Sequence, residues 1–295
     1  MKRISMFMSV AFVVLVSGGW AQAQKPAYNF FTIDPPGSVY TIAMAINAQG
    51  DIVGGFRDND DQYHGFLLSQ GSYRVIDVPE RQYSFAQGIN AYGQIVGEYS
   101  DSDGILHGFL LDRGNFVTID FPGALWTSPQ TINDAGDIAG VAGDVEYTDG
   151  GPHYGFLLRK GEYTQIELPD VNVCGNYVHS INDAGEVVGD YTIAPCNVSN
   201  PEFHGFMLKD DSFTKIDVPN AVGTVPYGIN AQGVIVGTYG RAGERGHGFL
   251  LWKGVVTDID FPGSRYTRAF GINTRGWIVG DYGANGVKHG FLAIK

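Results

Sequence analysis

The chain has 295 residues, with 31 acidic against 19 basic side chains and a formal charge of −12. A surface of that sign repels phosphate backbones and anionic headgroups, which argues against nucleic acid or a lipid surface as partner. Its 42 glycines, 16 tyrosines and 18 phenylalanines, without long helical periodicity, describe short strands joined by tight turns, an all-β composition.

In chain order, the first segment reads as an export signal. Lys2 and Arg3 form a basic start, Ser9 to Val16 is mostly apolar, and Ala21-Gln22-Ala23 puts small residues where a signal peptidase reads them. The apolar run is shorter than the roughly 20 residues that span a bilayer, so residues 1–23 are expected to be cleaved off. Cleavage removes two basic residues and no acidic one, leaving 17 against 31 and a charge of −14. Residues 24–295 contain no further membrane span and are expected to form a single domain.

That domain is a sixfold repeat. Ile-Asn recurs at Asn47, Asn90, Asn133, Asn182, Asn230 and Asn273, each followed three residues later by glycine. Asn-x-x-Gly between apolar runs is hairpin chemistry, since Asn bonds the turn backbone and Gly accepts positive φ. Each unit spells four strands: a ends at Ile-Asn, b reads Ile-Val-Gly, c starts at His-Gly-Phe, and d ends at Ile-Asp before proline. Strands c and d are joined by two-residue turns such as Gln70-Gly71 and Lys253-Gly254, a form that suits type I′. The chain opens on a d strand, Asn29 to Asp34, and finishes on a c strand, His289 to Ile294. A ring accounts for this offset, because the N-terminal strand then completes the last unit and removes two free edges. The expected fold is a six-bladed β-propeller of four-stranded antiparallel blades, closed by the N-terminal strand pairing into the last blade.

Phrases such as Gly88-Ile89-Asn90-Ala91-Tyr92-Gly93-Gln94-Ile95-Val96-Gly97 followed by His107-Gly108-Phe109-Leu110-Leu111 resemble the bacterial extracellular repeats called HAF after their His-Ala-Phe signature. Gly replaces Ala in every copy here. The resemblance implies secretion, extracellular or periplasmic, and repetition, but no active site.

The interval from the c-strand start to the d-strand acid is always 13, which sets His64 against Asp77, His107 against Asp120, His204 against Asp217 and His247 against Asp260. Closure sets His289 against Asp34, and one unit replaces both members, with Tyr154 and Glu167. A contact repeated in every blade reads as a structural hydrogen bond, so these residues are expected to hold the outer hairpins.

Other intervals vary, and all at one end of the strands. From a to c they are 17, 17, 21, 22, 17 and 16, and from d to a they are 13 except for 15 between Glu167 and Asn182. Function is therefore expected on that face, chiefly in loops 141–153, 170–179 and 192–203. Cys174 and Cys196 lie in two enlarged loops of one unit and are expected to form a disulfide in an oxidising compartment. Rings recur there at Tyr40, Tyr83, Trp126 and Tyr266, with Tyr177 nearby, where they could stack on sugars. Arg57, Arg81, Arg241, Arg245, Arg265 and Arg268 share these loops and could hold an anionic group, and His179 sits beside them.

The runs Asp58-Asn59-Asp60-Asp61 and Asp101-Ser102-Asp103-Gly104 lack the spacing of a calcium loop, so no metal is expected. Nor is a cofactor, since nucleophile-elbow, zinc-helix, phosphate-loop and dinucleotide motifs are all missing. The favoured reading is an exported, monomeric, non-catalytic binding or adhesion module that holds a glycan or cell-surface partner. The alternatives are a hydrolase or lyase acting on a sugar or lactone at the channel mouth, and a purely structural surface protein.

Overall fold

The computed structural model of the chain describes residues 2–3, 28–81, 83–145, 153–169, 173–193, 202–210 and 212–295. Six four-stranded antiparallel sheets stand in a ring, a six-bladed β-propeller. Blade 1 consists of Tyr40–Ile46 (a), Ile52–Arg57 (b), Tyr63–Ser69 (c) and Ser72–Ile76 (d). Blade 6 takes three strands from the C-terminal end, Thr267–Ile272, Ile278–Ala284 and Val287–Ile294, and its outer strand, Asn29–Ile33, from the N-terminal end. The closing pair runs from Asn29 opposite Ile294 to Ile33 opposite Gly290. Lys2–Arg3 lies parallel beside Thr164 and Gln165 at the outer edge of blade 3, and the rest of the expected export segment is outside the described residues. No helix among the described residues is long and apolar enough to cross a membrane.

Local chemistry explains the blades. In the c–d turn of blade 1, Gln70 and Gly71 have φ of 49° and 77°, the double positive φ of a type I′ hairpin. Each c strand buries its phenylalanine, Phe66, Phe109, Phe156, Phe206, Phe249 or Phe291, at 1% exposure or less, and each such ring contributes about 1.5–3 kcal/mol. The residue before it has to be small. A Cβ on Gly65 would lie 2.7 Å from the Ile76 carbonyl, and one on Gly108 would lie 2.4 Å from that of Ile119. This is the physical reason for glycine at this position in every blade.

The repeated asparagines do more than close their turns. In Asn47 the side-chain oxygen accepts the backbone N–H groups of Gln49, Gly50 and Asp51, while its amide donates to the Asn90 carbonyl of the next blade at 3.3 Å. The same donation passes from Asn90 to Asn133, Asn182, Asn230 and Asn273 at 3.0 to 3.2 Å, and Asn273 returns it to Asn47 at 3.0 Å. All six side chains are buried, and together they form a closed belt of hydrogen bonds around the axis.

Candidate binding face

Up-and-down blades send every d–a and b–c connection to one face of the ring and every a–b and c–d turn to the other. On the constant face the Asn turns repeat. Towards the variable face the side chains begin to differ, at two positions inside the blades as well as in the loops.

The first is a bulge in each inner strand. The register slips between Ala43 and Ala45, Ala86 and Gly88, Pro129 and Thr131, Val178 and Ser180, Pro226 and Gly228, and Ala269 and Gly271. A bulge re-aims the extra residue, and the six extras, Met44, Gln87, Gln130, His179, Tyr227 and Phe270, all line an axial chamber of about 120 Å³. Three are polar neighbours and three apolar. On the apolar side the Tyr227 and Phe270 rings meet at 4.6 Å, and burial pushes the Tyr227 phenol well above its usual pKa. On the polar side Gln130 donates to Ser128 Oγ at 2.6 Å, and the Gln87 side-chain oxygen is buried without a partner.

The second is the residue after the b-strand glycine: Gly55, Glu98, Val141, Asp190, Thr238 and Asp281. Alternate blades therefore bury a carboxylate, and each carboxylate has its own partner. Glu98 accepts from the Tyr83 hydroxyl at 2.7 Å and from Ser128 Oγ. Asp190 lies 2.6 Å from Nε2 of His179. Asp281 accepts two bonds from Arg268, at 2.8 and 2.7 Å. Burial alone would lower the Arg268 pKa, but the Asp281 carboxylate holds it above its usual value.

In five blades the slot histidine meets its acid across the outer hairpin. Nδ1 is 2.9 Å from the acid in His64–Asp77, His107–Asp120 and His247–Asp260, 3.2 Å in His204–Asp217 and 2.8 Å in His289–Asp34. Asp58 and Asp101, from the calcium-like runs, cap their own loops through one oxygen and reach Nε2 of His64 and His107 through the other, at 3.3 Å. Burial alone would lower the pKa of both histidines, and their two carboxylate neighbours raise it instead. No group of three or more His, Cys, Asp or Glu among the described residues is placed to hold a metal.

Blade 3 differs from expectation. Tyr154 does not bond Glu167; its hydroxyl donates to Asp144 at 2.7 Å. The exchange that accompanies it is across the sheet. Slot histidines face Phe56, Tyr99, Tyr191, Tyr239 and Tyr282 on strand b, whereas Tyr154 faces Ala142. A large ring opposite a small residue replaces a small ring opposite a large one.

Several residues expected to meet a ligand are engaged elsewhere. Trp126 is 6% exposed, donates to the Val145 carbonyl at 2.8 Å and covers Gly143, so it packs over its own blade and offers no stacking face. Tyr177 lies between His153, at 4.3 Å between centroids, and His179, at 5.8 Å, and the second ring pair is stacked. Arg241 sits 4.9 Å over the Tyr239 ring and 3.6 Å from Glu244. Cys174 is on the inner strand of blade 4, Val173–Ile181, and Cys196 lies outside the described residues, as do most of the enlarged loops: 146–152, 170–172 and 194–201.

Tyr40 and Tyr266 do come together. With Arg57, Arg265 and Lys288 they line a cleft of about 600 Å³ where blade 6 meets blade 1, walled by Gly246, Gly283 and Gly286. Lys288 donates to the Tyr40 hydroxyl at 3.0 Å, and its ammonium lies 4.5 Å from the centre of that ring. Tyr266 rests on Gly283, where a Cβ would come within 2.4 Å of its ring, and its phenol is pushed up to about 12 by burial and by Asp281. Arg268 stands 5.6 Å from the Tyr266 ring and ties the cleft to the buried Asp281. Lys288 and the bulge residues other than His179 had not been expected at a site.

No protein-family model matches the chain, and no curated protein does. Solved structures match over most of its length. It is similar to the Aleuria aurantia lectin in complex with Fucα1-6GlcNAc, with 13% identity and TM-score 0.53 over 86% of this chain and 92% of that one. It is also similar to a gluconolactonase from Xanthomonas campestris, with 14% identity and TM-score 0.52 over 92% and 91% of the two chains. TolB from Acinetobacter baumannii matches with 10% identity and TM-score 0.55, over 83% of this chain and 64% of its own. At such identities the shared feature is the propeller fold, which hosts unrelated activities.

Proposed function

We propose that this chain is an exported, non-catalytic propeller that binds a carbohydrate in the cleft between blades 6 and 1. The observation that carries this reading is the pair of half-buried tyrosines, Tyr40 and Tyr266, lining one cavity of about 600 Å³ together with polar side chains. Sugars present flat C–H faces that stack on such rings and hydroxyls that the polar groups orient, and the volume is within the range of small-ligand sites, about 300–1,000 Å³. The fold suits such a role, since the Aleuria aurantia lectin holds a fucosylated sugar on it. His179, the histidine nearest the axis, has Nε2 engaged with Asp190 and its ring packed against Tyr177 and Tyr227, which favours a positioned core residue over a general base.

A glycan array probed with the mature protein and with a Tyr266→Ala variant tests the reading. At least one glycan class should bind, and the variant should lose that binding while keeping the wild-type circular dichroism. An array on which the mature protein binds nothing, or a folded variant that binds as the wild type does, would refute it.

A further inference from the structure

We infer that the saccharide held in this cleft is anionic, carrying a carboxylate or sulfate group that Arg57, Arg265 and Lys288 receive. This rests on the carbohydrate reading and adds its chemical class. The cleft lining contains three cationic side chains and no Asp or Glu, in a chain whose formal charge is −12. That concentration of positive charge runs against the composition of the whole surface.

The cations are also incompletely answered. Arg57 reaches Asp61 through one terminal nitrogen at 3.0 Å, but its Nε is buried without a hydrogen-bond partner. Arg265 is exposed and makes no ion pair among the described residues. Lys288 is 3.7 Å from Asp281, a carboxylate already committed to two bonds from Arg268. Its ammonium is held below the usual lysine range by burial and then by the charge of Arg268. An exposed guanidinium without an ion pair and a lysine crowded by a second cation are both stabilised by an incoming anion. The neighbouring rings restrict that anion to one borne on a flat, C–H-rich body, which a sugar acid or sugar sulfate supplies and a bare inorganic ion does not.

Titration calorimetry on the mature protein tests this with three probes: trigalacturonate, its fully methyl-esterified neutral counterpart, and a sulfated galacto-oligosaccharide of the same length. At least one acidic probe should bind about tenfold or more tightly than the neutral one, as charge-assisted hydrogen bonds in a part-buried site require. That preference should weaken with added salt. Arg265→Ala, at an exposed position, and Lys288→Met should each reduce acidic binding about tenfold and reduce neutral binding by a smaller factor, so that the acidic-over-neutral preference falls, with melting temperatures reported for both. Preference for the carboxylated or for the sulfated probe identifies the anion. Equal or tighter binding of the neutral probe overturns the anionic inference and leaves the carbohydrate reading standing. Binding of none of the three, with an array that also stays blank, overturns both.

Discussion

Replacing Asn230 by Asp removes one hydrogen bond from the axial belt and little else. The Asn230 amide donates only to the Asn273 carbonyl, at 3.1 Å, while its side-chain oxygen accepts from Gln232 and Val234 at 3.1 and 3.0 Å. A carboxylate keeps the two turn bonds, loses the donor, and faces the Asn273 carbonyl with a second negative oxygen at a 6% exposed position. The lost bond costs about 1 kcal/mol, and the buried oxygen–oxygen contact adds about 1–3 kcal/mol. At about 2–4 °C per kcal/mol for a chain of this size, the melting temperature should fall by roughly 5–15 °C at neutral pH.

The acid form distinguishes the belt from the turn. Burial beside a carbonyl raises the pKa of the introduced carboxyl, so its protonated form, a donor again, is the one the fold favours. The deficit relative to wild type should therefore shrink as the pH falls through that raised value. Asn230→Ala loses both turn bonds and the belt bond and has no such recovery. Differential scanning calorimetry of the three proteins over a pH series measures this. An Asp variant that melts with the wild type at neutral pH, or one whose deficit ignores acidification, would refute the belt as a stabilising element.

Other tests address the closure, the odd blade and the rims. Deleting residues 24–34 removes the outer strand of blade 6 and buried Ile33, and should lower the melting temperature by about 10 °C or more; an unchanged value would contradict closure by that strand. Tyr154→His should destabilise blade 3 by about 1–3 kcal/mol, and adding Ala142→Tyr should recover about 1 kcal/mol or more in a double-mutant cycle, whereas simple additivity would sink the size-exchange account. His64 and His107 have raised pKa values, so their stabilisation is full below the ordinary 6.5 and lost as pH rises above it; Asp58 and Asp101 are lowered, chiefly by backbone N–H groups, so theirs is full above 3.8 and lost below it. Melting temperature should thus peak on the mildly acidic side, and a His64→Gln, His107→Gln variant should flatten the alkaline limb. The expected Cys174–Cys196 bridge predicts that the protein, purified without reductant, takes up alkylating reagent only after reduction, with two thiols labelled per chain; labelling without reductant would count against it.

Blade number, strand order and closure were legible because each is carried by spacing, and spacing survives without coordinates. The histidine slots followed from one invariant interval and a two-residue turn. The Asn belt did not, since turn chemistry already accounted for each asparagine and only the ring brings the six amides to a common axis. The bulges were hidden for a different reason. Every inner strand carries one at the same place, so no interval changes and Met44, Gln87, Gln130, His179, Tyr227 and Phe270 look like ordinary strand residues. Trp126 misled because position along the repeat predicts the face but not whether a ring turns outward or lies down on a glycine, here Gly143.

The cleft illustrates the same limit from the other side. Length variation directed attention to the enlarged loops of blades 3 and 4, on the premise that added residues build a site. Where blade 6 meets blade 1 the variation is a loss: the a-to-c interval of 16 is the shortest of the six. Its b–c connection is reduced to the tight turn Asn285-Gly286, with φ of 50° and 79°. A connection that short cannot fold over the end of its blade, so the strand ends themselves, from Gly283 to Lys288, are left as walls facing Tyr40 and Arg57 of blade 1. Tyr40 and Lys288 are 248 residues apart in sequence and 3.0 Å apart in space, a meeting that exists only because the ring closes. The closure that removes two free strand edges therefore also juxtaposes the first and last blades across the shortest loop, and the candidate site is a product of the same event that completes the fold.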